Sequence, residues 1–92
     1  MNKKILVKVE QKHINLGLRG NCSSCPIALA IKEINQSKFV SIGYKDASIY
    51  FLERDDTYRF DLPRAARRFI NRFDKDVYVK AKPFNFYLKP QG

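Results

Sequence analysis

The chain has 92 residues, and its 18 lysines and arginines against 9 aspartates and glutamates give a formal net charge of +9. A chain of this length forms one domain, residues 1–92, with a single small core. No apolar run approaches the roughly 20 residues of a membrane-spanning helix, so we expect no membrane partner. Lys8 and Glu10 interrupt the apolar residues near the start. We therefore expect no signal peptide and a cytoplasmic protein.

The positive charge predicts an anionic partner, because a field of this sign concentrates anions near the surface. Nucleic acid, an anionic nucleotide and an acidic protein surface all fit this expectation. Anionic lipid is disfavoured, since no basic helix with a large apolar side stands out. The alternative is that the charge serves only solubility.

The first half of the chain predicts a strand followed by a helix. Apolar residues at every second position indicate a half-buried strand over residues 3–10. Residues 11–15 can add one helical turn. From Pro26 the apolar residues recur at three and four, which is typical of a helix of about three turns. Its apolar side carries Ile27, Ala30, Ile31 and Ile34.

The middle of the chain predicts a meander of three short strands. Apolar and aromatic residues alternate over 40–44, 48–53 and 57–60, with short turns between them. Short turns favour antiparallel neighbours, so these strands are expected to pair in sequence order.

The last third predicts a second helix and a final strand. Asp61 and Pro63 are typical of the start of a helix. The apolar side of this helix carries Ala66, Phe69, Ile70 and Phe73. Alternating apolar residues indicate a strand over 84–88, and we expect residues 89–92 to form a loose tail.

The order β-α-β-β-(β)-α-β indicates an α+β fold. We expect an antiparallel sheet of four or five strands with two helices on one face. A ferredoxin-like split βαβ arrangement is the simplest closed solution.

Cys22 and Cys25 are separated by two residues and precede Pro26 at the start of the first long helix. Thiol-disulfide oxidoreductases of the thioredoxin type place such a pair at a helix start, where the helix dipole stabilises a thiolate. Together with His13, the two cysteines would also make three of the four ligands of a zinc site. The third interpretation is structural, with a small residue capping the helix that Pro26 begins.

The loop before the cysteines is a candidate anion seat. Arg19, Gly20 and Asn21 lead into the helix start, and glycine allows a phosphate to approach backbone N–H groups closely. The loop lacks the Gly-Lys-Ser/Thr sequence of a phosphate-binding Walker motif.

Arginines dominate the solvent side of the second helix. Arg64, Arg68 and Arg72 are spaced by four, and Arg67 lies beside them. Arginine suits bidentate contact with phosphate, so these four residues are candidate nucleic-acid ligands. The alternative is an ordinary solvated helix face.

Aromatic residues do not follow the pattern of the RNA-recognition fold, which shares this element order. That fold carries RNA-stacking aromatics on its first and third strands. The first strand here has none. Tyrosines can still stack bases from other positions. The candidates are Tyr44, Tyr50, Tyr58, Tyr78 and Tyr87.

Parts of the sequence resemble a family of small uncharacterised proteins of bacteriophages and prophages. The resemblance covers most of the chain from His13 onward, with the pattern C-x-x-C-P-[IV]-A-L-A followed by L-P-x-x-A-x-R-F-I-x-x-F-D. It is carried by NCSSCPIALAI at 21–31, LPRAARRFINRFD at 62–74 and PFNF at 83–86. It implies a phage-associated protein in the cytoplasm of a bacterial host, and it assigns no site residues.

Catalysis has little support, because one histidine and no acidic cluster leave few groups for acid–base or metal chemistry. The sequence therefore predicts a non-catalytic protein that binds a polyanion, most plausibly nucleic acid, without a cofactor. Two alternatives stay open. One is a phage counter-defence protein that inhibits a host defence protein or sequesters a nucleotide signal. The other is a thiol-disulfide oxidoreductase that uses Cys22 and Cys25.

Overall fold

The computed structural model describes residues 4–34, 37–51, 55–75 and 81–91. Within these ranges the chain forms five strands and three helices, and the α+β class predicted from the sequence is confirmed. The elements are β1 (Ile5–Val9), α1 (Gln11–Leu16), α2 (Pro26–Lys32), β2 (Ser37–Ile42), β3 (Asp46–Phe51), β4 (Asp56–Asp61), α3 (Arg64–Lys75) and β5 (Phe84–Pro90).

The five strands form one antiparallel sheet in the order β1-β5-β4-β3-β2. β2, β3 and β4 pair as the meander that the short turns predicted. β5 pairs with β1 along its length, but its pairing with β4 is confined to Phe60 with Pro90 and Asp61 with Lys89. α2 contacts both edge strands, β1 and β2. The sheet therefore curls around α2.

This strand order differs from the ferredoxin-like arrangement that the element order suggested. In a split βαβ unit, the two strands joined by a helix are parallel and a third strand lies between them. Here α3 joins β4 to β5, which are direct antiparallel neighbours. β1 lies at an edge instead of in the interior. Local hydrophobic patterns define the strands but not which strand pairs with which, so this difference had no signal in the sequence.

The core lies between the inner side of the curled sheet and the helices. From α2, Ile27, Ala28 and Ile31 are fully buried. The sheet contributes its alternate residues, as the period-two patterns predicted. These are Val7, Val9, Val40, Ile42, Ala47, Ile49, Phe60, Phe86 and Leu88.

α2 begins as predicted and ends early. Pro26 is its first residue and Cys25 its N-cap, but the helix stops at Lys32 after about two turns. The N–H groups of Glu33 and Ile34 donate to the carbonyls of Ala30 and Ile31. This tighter last turn still packs Ile34 against the core.

α3 packs on the inner side of β5 through aromatic side chains. The rings of Phe69 and Phe84 lie 4.8 Å apart, and those of Phe84 and Phe86 lie 5.5 Å apart. Ala66 and Phe73 are buried on the same side of the helix. The apolar side predicted for this helix is therefore the side that meets the core.

Several further boundaries differ from the sequence-based expectation. The middle strand predicted at 40–44 is β2 at Ser37–Ile42, and the next one begins at Asp46 rather than at residue 48. α3 begins at Arg64, and Asp61 belongs to β4, where its carboxylate accepts from the Gln91 amide. Lys89 and Pro90 are the last residues of β5 rather than part of a loose tail. The Gln91 N–H donates to the Arg59 carbonyl. The predicted ends of the first and third strands, at residue 3 and at 52–53, lie outside the described residues, as does Gly92. None of the described helices is long and apolar enough to cross a membrane.

Gly17 fixes the junction between α1 and α2, and its substitution tests this packing. A Cβ at Gly17 would collide with the ring of Pro26 and lie 2.7 Å from its nitrogen. We expect Gly17→Ala to lower the unfolding free energy by about 2–3 kcal/mol, as overpacking does. Urea denaturation measures this loss.

Gly20→Ala is the matched control. Gly20 has a φ of 68° but no atom within 4 Å of an added Cβ, so only the left-handed conformation opposes alanine. We expect a loss of about 1 kcal/mol. A larger loss for Gly20→Ala than for Gly17→Ala would contradict the packing at this junction.

Candidate nucleic-acid interface

α3 presents a row of arginines to solvent. Arg64, Arg68 and Arg72, called the arginine row below, are all exposed. The helix rises about 6 Å over four residues, so their Cα atoms follow one another along one side of α3 at that interval. Lys75 is exposed, and its spacing of three and seven from the last two arginines places it on the same side. Lys75 was not among the residues predicted from the sequence, although the same helical spacing identifies it.

The arginine row makes no ion pair in the part of the chain that the structure describes. Within these ranges Lys12 pairs with Glu10 and Glu33, and the His13 ring lies beside Glu33, far from α3 in sequence. The row keeps its positive charge, and mutual repulsion costs the helix a few tenths of a kcal/mol per neighbouring pair.

Three aspartates that could offset this charge make hydrogen bonds elsewhere. Asp61 accepts from Gln91, Asp74 accepts from the Gly20 N–H, and Asp55 accepts from the Tyr50 hydroxyl. The hydrogen bond from Tyr50 to Asp55 raises the pKa of the tyrosine above its ordinary value. These neutral donors do not cancel a carboxylate's charge, but within the described residues none of the three lies at ion-pair distance from the arginine row.

Arg67 differs from the other arginines of α3. It is half-buried, and its Nε is enclosed without a hydrogen-bond partner among the described residues. Its position lies on the flank of the helix that also carries Asn71 and Asp74. Arg67 is therefore beside the arginine row, as the sequence indicated, but less accessible to a ligand.

The loop of Arg19, Gly20 and Asn21 lies against the C-terminal half of α3. The Arg19 guanidinium stacks 4.7 Å from the centre of the Phe73 ring, and the Gly20 N–H donates to Asp74 at 2.9 Å. These contacts lie on sides of α3 away from the arginine row. The structure does not merge the two predicted anion sites into one.

The hydrogen bonds of this loop are made inside the protein. Asn21 accepts from the N–H groups of Ser23 and Cys25, through its side chain and its carbonyl respectively. Asp74 already places a carboxylate at the Gly20 N–H. A phosphate would have to displace that carboxylate, so the geometry weighs against the predicted anion seat.

A cleft of about 240 Å³ opens between this loop, the turn after β2 and α3. Both cysteines contribute to its lining, with Asp74 and the exposed Tyr44. The residues around it are Gly20, Asn21, Cys22, Cys25, Ile42, Gly43, Tyr44, Ile70 and Asp74.

The two cysteines are free thiols in different environments. Cys22 is exposed, whereas Cys25 is buried and caps α2, with its sulfur 3.4 Å from the Ala28 nitrogen that donates to it. Burial raises the pKa of the Cys25 thiol, which disfavours the thiolate. The N–H groups at the start of α2 therefore contact the sulfur of the buried Cys25 rather than that of the exposed Cys22. Of the three small residues that could cap the helix, Ser23, Ser24 and Cys25, the structure has Cys25 in this role. An exposed first thiol and a buried second thiol are also the arrangement of an attacking and a resolving cysteine, so the structural and redox interpretations share this geometry.

His13 groups with two glutamates and not with the cysteines. Within the described residues, the ligand atoms of Glu10, His13 and Glu33 lie within 4.8 Å of one another. The zinc set of His13, Cys22 and Cys25 is therefore not brought together.

The tautomer of His13 opposes a metal at this new group as well. The buried Nδ1 accepts from the Glu10 N–H at 2.8 Å, so the neutral ring carries its proton on Nε2. Nε2 lies 3.0 Å from the Glu33 carboxylate, but its N–H does not point at the carboxylate oxygen, so the two atoms do not form a hydrogen bond. The Lys12 ammonium lies 3.1 Å from the same carboxylate. The group therefore ties α1 to the end of α2.

The tyrosines proposed for base stacking occupy different environments. Tyr58 is half-buried on the inner side of the sheet, with its ring 5.7 Å from Phe51. Tyr50 is held by Asp55. Tyr44 and Tyr87 are exposed, by 80% and 49%. Tyr78 lies outside the described residues. Two of the five tyrosines thus present much of their surface to a ligand.

Comparison with known proteins finds no match for this chain among family models, curated proteins or solved structures. The resemblance to phage and prophage proteins stays a prediction, and function has to be argued from the chemistry of the surfaces.

Thiol modification tests the roles of the two cysteines. At neutral pH we expect Cys25→Ser to react with a disulfide reagent as an ordinary exposed thiol does. Cys22→Ser should react at least about tenfold more slowly, because Cys25 is buried and its pKa is raised. A reaction of Cys25→Ser, which keeps Cys22, at least about tenfold faster than that of an ordinary exposed thiol would support the oxidoreductase hypothesis. Equal rates of the two variants would contradict the buried position of Cys25.

The contacts of Glu33 predict a pH-dependent contribution to stability. The His13 ring beside it, followed by the Lys12 ammonium, holds the pKa of its carboxyl below the ordinary value. Such a group stabilises the fold above its unfolded pKa and loses that effect as pH falls through its folded pKa. We expect the stability difference between wild type and Glu33→Gln to shrink from about pH 5 to about pH 3. Chemical denaturation at each pH measures it, and a constant difference would contradict this assignment.

Proposed function

We propose that the protein is a non-catalytic binding protein for nucleic acid, which it contacts through the arginine row of α3. The observation that carries this proposal is the set of three exposed guanidiniums at helical spacing, with no carboxylate at ion-pair distance among the described residues. Repulsion within the row lowers the stability of the helix, whereas the same positive charges attract an anion.

The chemistry of the row favours a polymer of phosphates over a single anion. Each guanidinium presents a planar fork of N–H donors that matches phosphate oxygens. The three guanidiniums follow one another over about 12 Å of helix, so a chain of phosphates can contact all of them, whereas a single phosphate bound at one end of the row cannot. The net charge of +9 adds a long-range attraction that steers a polyanion to the surface.

Phage origin and a bacterial cytoplasm belong to this proposal through the sequence resemblance alone. The counter-defence alternative with a small nucleotide has less support, since the Gly20 N–H is already bonded to Asp74. The oxidoreductase alternative would use the exposed Cys22 as the attacking thiol and the buried Cys25 as the resolving one, and the thiol-modification experiment separates it from a structural role. An acidic protein partner would use the same arginines, and the experiment below separates it from nucleic acid.

Neutralising Arg64 and Arg68 together tests the site. We expect Arg64→Ala/Arg68→Ala to weaken binding about tenfold or more, by a similar factor for every nucleic-acid sequence, because phosphate contacts carry no sequence information. Fluorescence anisotropy with labelled duplexes of unrelated sequence measures this change.

Lys45→Gln/Lys82→Gln is the matched control. It removes the same two positive charges from exposed positions outside α3. We expect it to weaken binding by much less than the α3 variant. Equal effects of the two variants would mean that net charge alone attracts the polymer. Unchanged affinity of the α3 variant would reject the assigned site, and binding of acidic polypeptide but not of nucleic acid would reject the function.

A further inference from the structure

β1 and β5 are not consecutive in the chain but form an antiparallel pair, which we call the hairpin. One of its two sides is covered by none of the described helices. Its inward residues, Val7, Val9, Phe86 and Leu88, are buried in the core, and α3 packs on that side through Phe69 and Phe84. The alternate residues point outward, and all six are exposed. We call these residues the outer hairpin face: Lys4, Leu6, Lys8, Asn85, Tyr87 and Lys89.

An aromatic ring and an aliphatic side chain lie side by side at the centre of this face. Leu6 and Tyr87 are directly opposite each other in the strand register and are 40% and 49% exposed. The next outward pair along the strands is Lys8 with Asn85. The apolar area is therefore flanked by polar groups that hydrogen-bond or carry positive charge.

The charge of the outer hairpin face is positive. Residues 4–9 and 84–90 contain three lysines and no aspartate or glutamate. The Lys4 ammonium lies 5.0 Å from the centre of the Tyr87 ring. On the neighbouring strand β4, Arg59 is exposed, and Asp61, which lies opposite Lys89 in the register and accepts from the Gln91 amide, offsets one of these positive charges. The face thus combines an accessible ring with cations on each side of it.

We propose that the outer hairpin face binds single-stranded nucleic acid, with a base stacked on Tyr87 beside Leu6 and its flanking phosphates near Lys4, Lys8 and Lys89. Bases stack on aromatic side chains only when they are not paired, and a groove of cations holds the backbone. A duplex buries its bases and offers this face only phosphates. An acidic protein surface would match the lysines but leave the ring without a specific partner.

This inference rests on the proposed function for the class of ligand, but it concerns a second surface. The arginine row faces solvent on the helix side of the sheet, and the outer hairpin face lies on the opposite side. A variant on one surface therefore leaves the contacts of the other in place, and the two proposals can fail separately.

The test compares three labelled ligands of about 15 nucleotides: an oligothymidylate, an abasic strand of the same length and a duplex. Tyr87→Thr removes the ring and keeps a residue that suits a strand. We expect it to weaken oligothymidylate binding about tenfold, with less than about twofold change for the abasic strand and the duplex. Tyr87→Phe keeps the ring and should retain binding to within about twofold. Tyr44→Ser removes an exposed tyrosine outside this face and serves as the second control.

Each outcome decides between the surfaces. A loss confined to Tyr87→Thr and to the strand with bases supports the outer hairpin face. Unchanged oligothymidylate binding in Tyr87→Thr, with weaker binding in Arg64→Ala/Arg68→Ala, overturns this inference and leaves the arginine row in place. Binding of acidic polypeptide in place of all three ligands overturns both proposals. Circular dichroism and urea denaturation of Tyr87→Phe and Tyr87→Thr identify any loss that comes from unfolding.

Discussion

The burial of α2 inside the curled sheet is the contact on which the rest of the structure depends. Ile27, Ala28 and Ile31 have no exposed surface, and the helix reaches both edge strands. A chain of 92 residues has apolar residues for one core only, so the sheet closes around this one helix. The solvent side of α3 and the outer side of the β1–β5 hairpin lie outside this core, and both carry exposed cations.

Two polar groups hold the ends of α2 and so fix its neighbours. At its start, Cys25 caps the helix, and the loop before it is tied to α3 through Gly20 and Asp74. At its end, Glu33 meets His13 and Lys12 of α1. Cys25 and His13, two of the candidate reactive or metal-binding residues of the sequence, contact the ends of α2. The cations of α3 and of the outer hairpin face are the groups left without such internal duties.

The sequence predicted the elements and their inward sides better than their arrangement. Period-two and helical patterns predicted the strands and the helices, and within them Val7, Ile27, Ile49 and Phe86 point inward, because burial acts on each strand and helix locally. Strand order depends on which distant strands pair, and no local pattern encodes the neighbour of β5. The row of Arg64, Arg68 and Arg72 followed from helical spacing alone. Gly20 and Asp74 are 54 residues apart in the chain, so no local signal in the sequence could reveal the hydrogen bond between them.

The most direct test of a phosphate-binding arginine row is the salt dependence of duplex binding by the wild-type protein. Each neutralised phosphate contributes about −0.9 to the slope of log affinity against log salt concentration. Three guanidiniums and Lys75 in contact with phosphates predict a slope of about −3 to −4. A slope near zero, or no binding of duplex at low salt, would contradict the account.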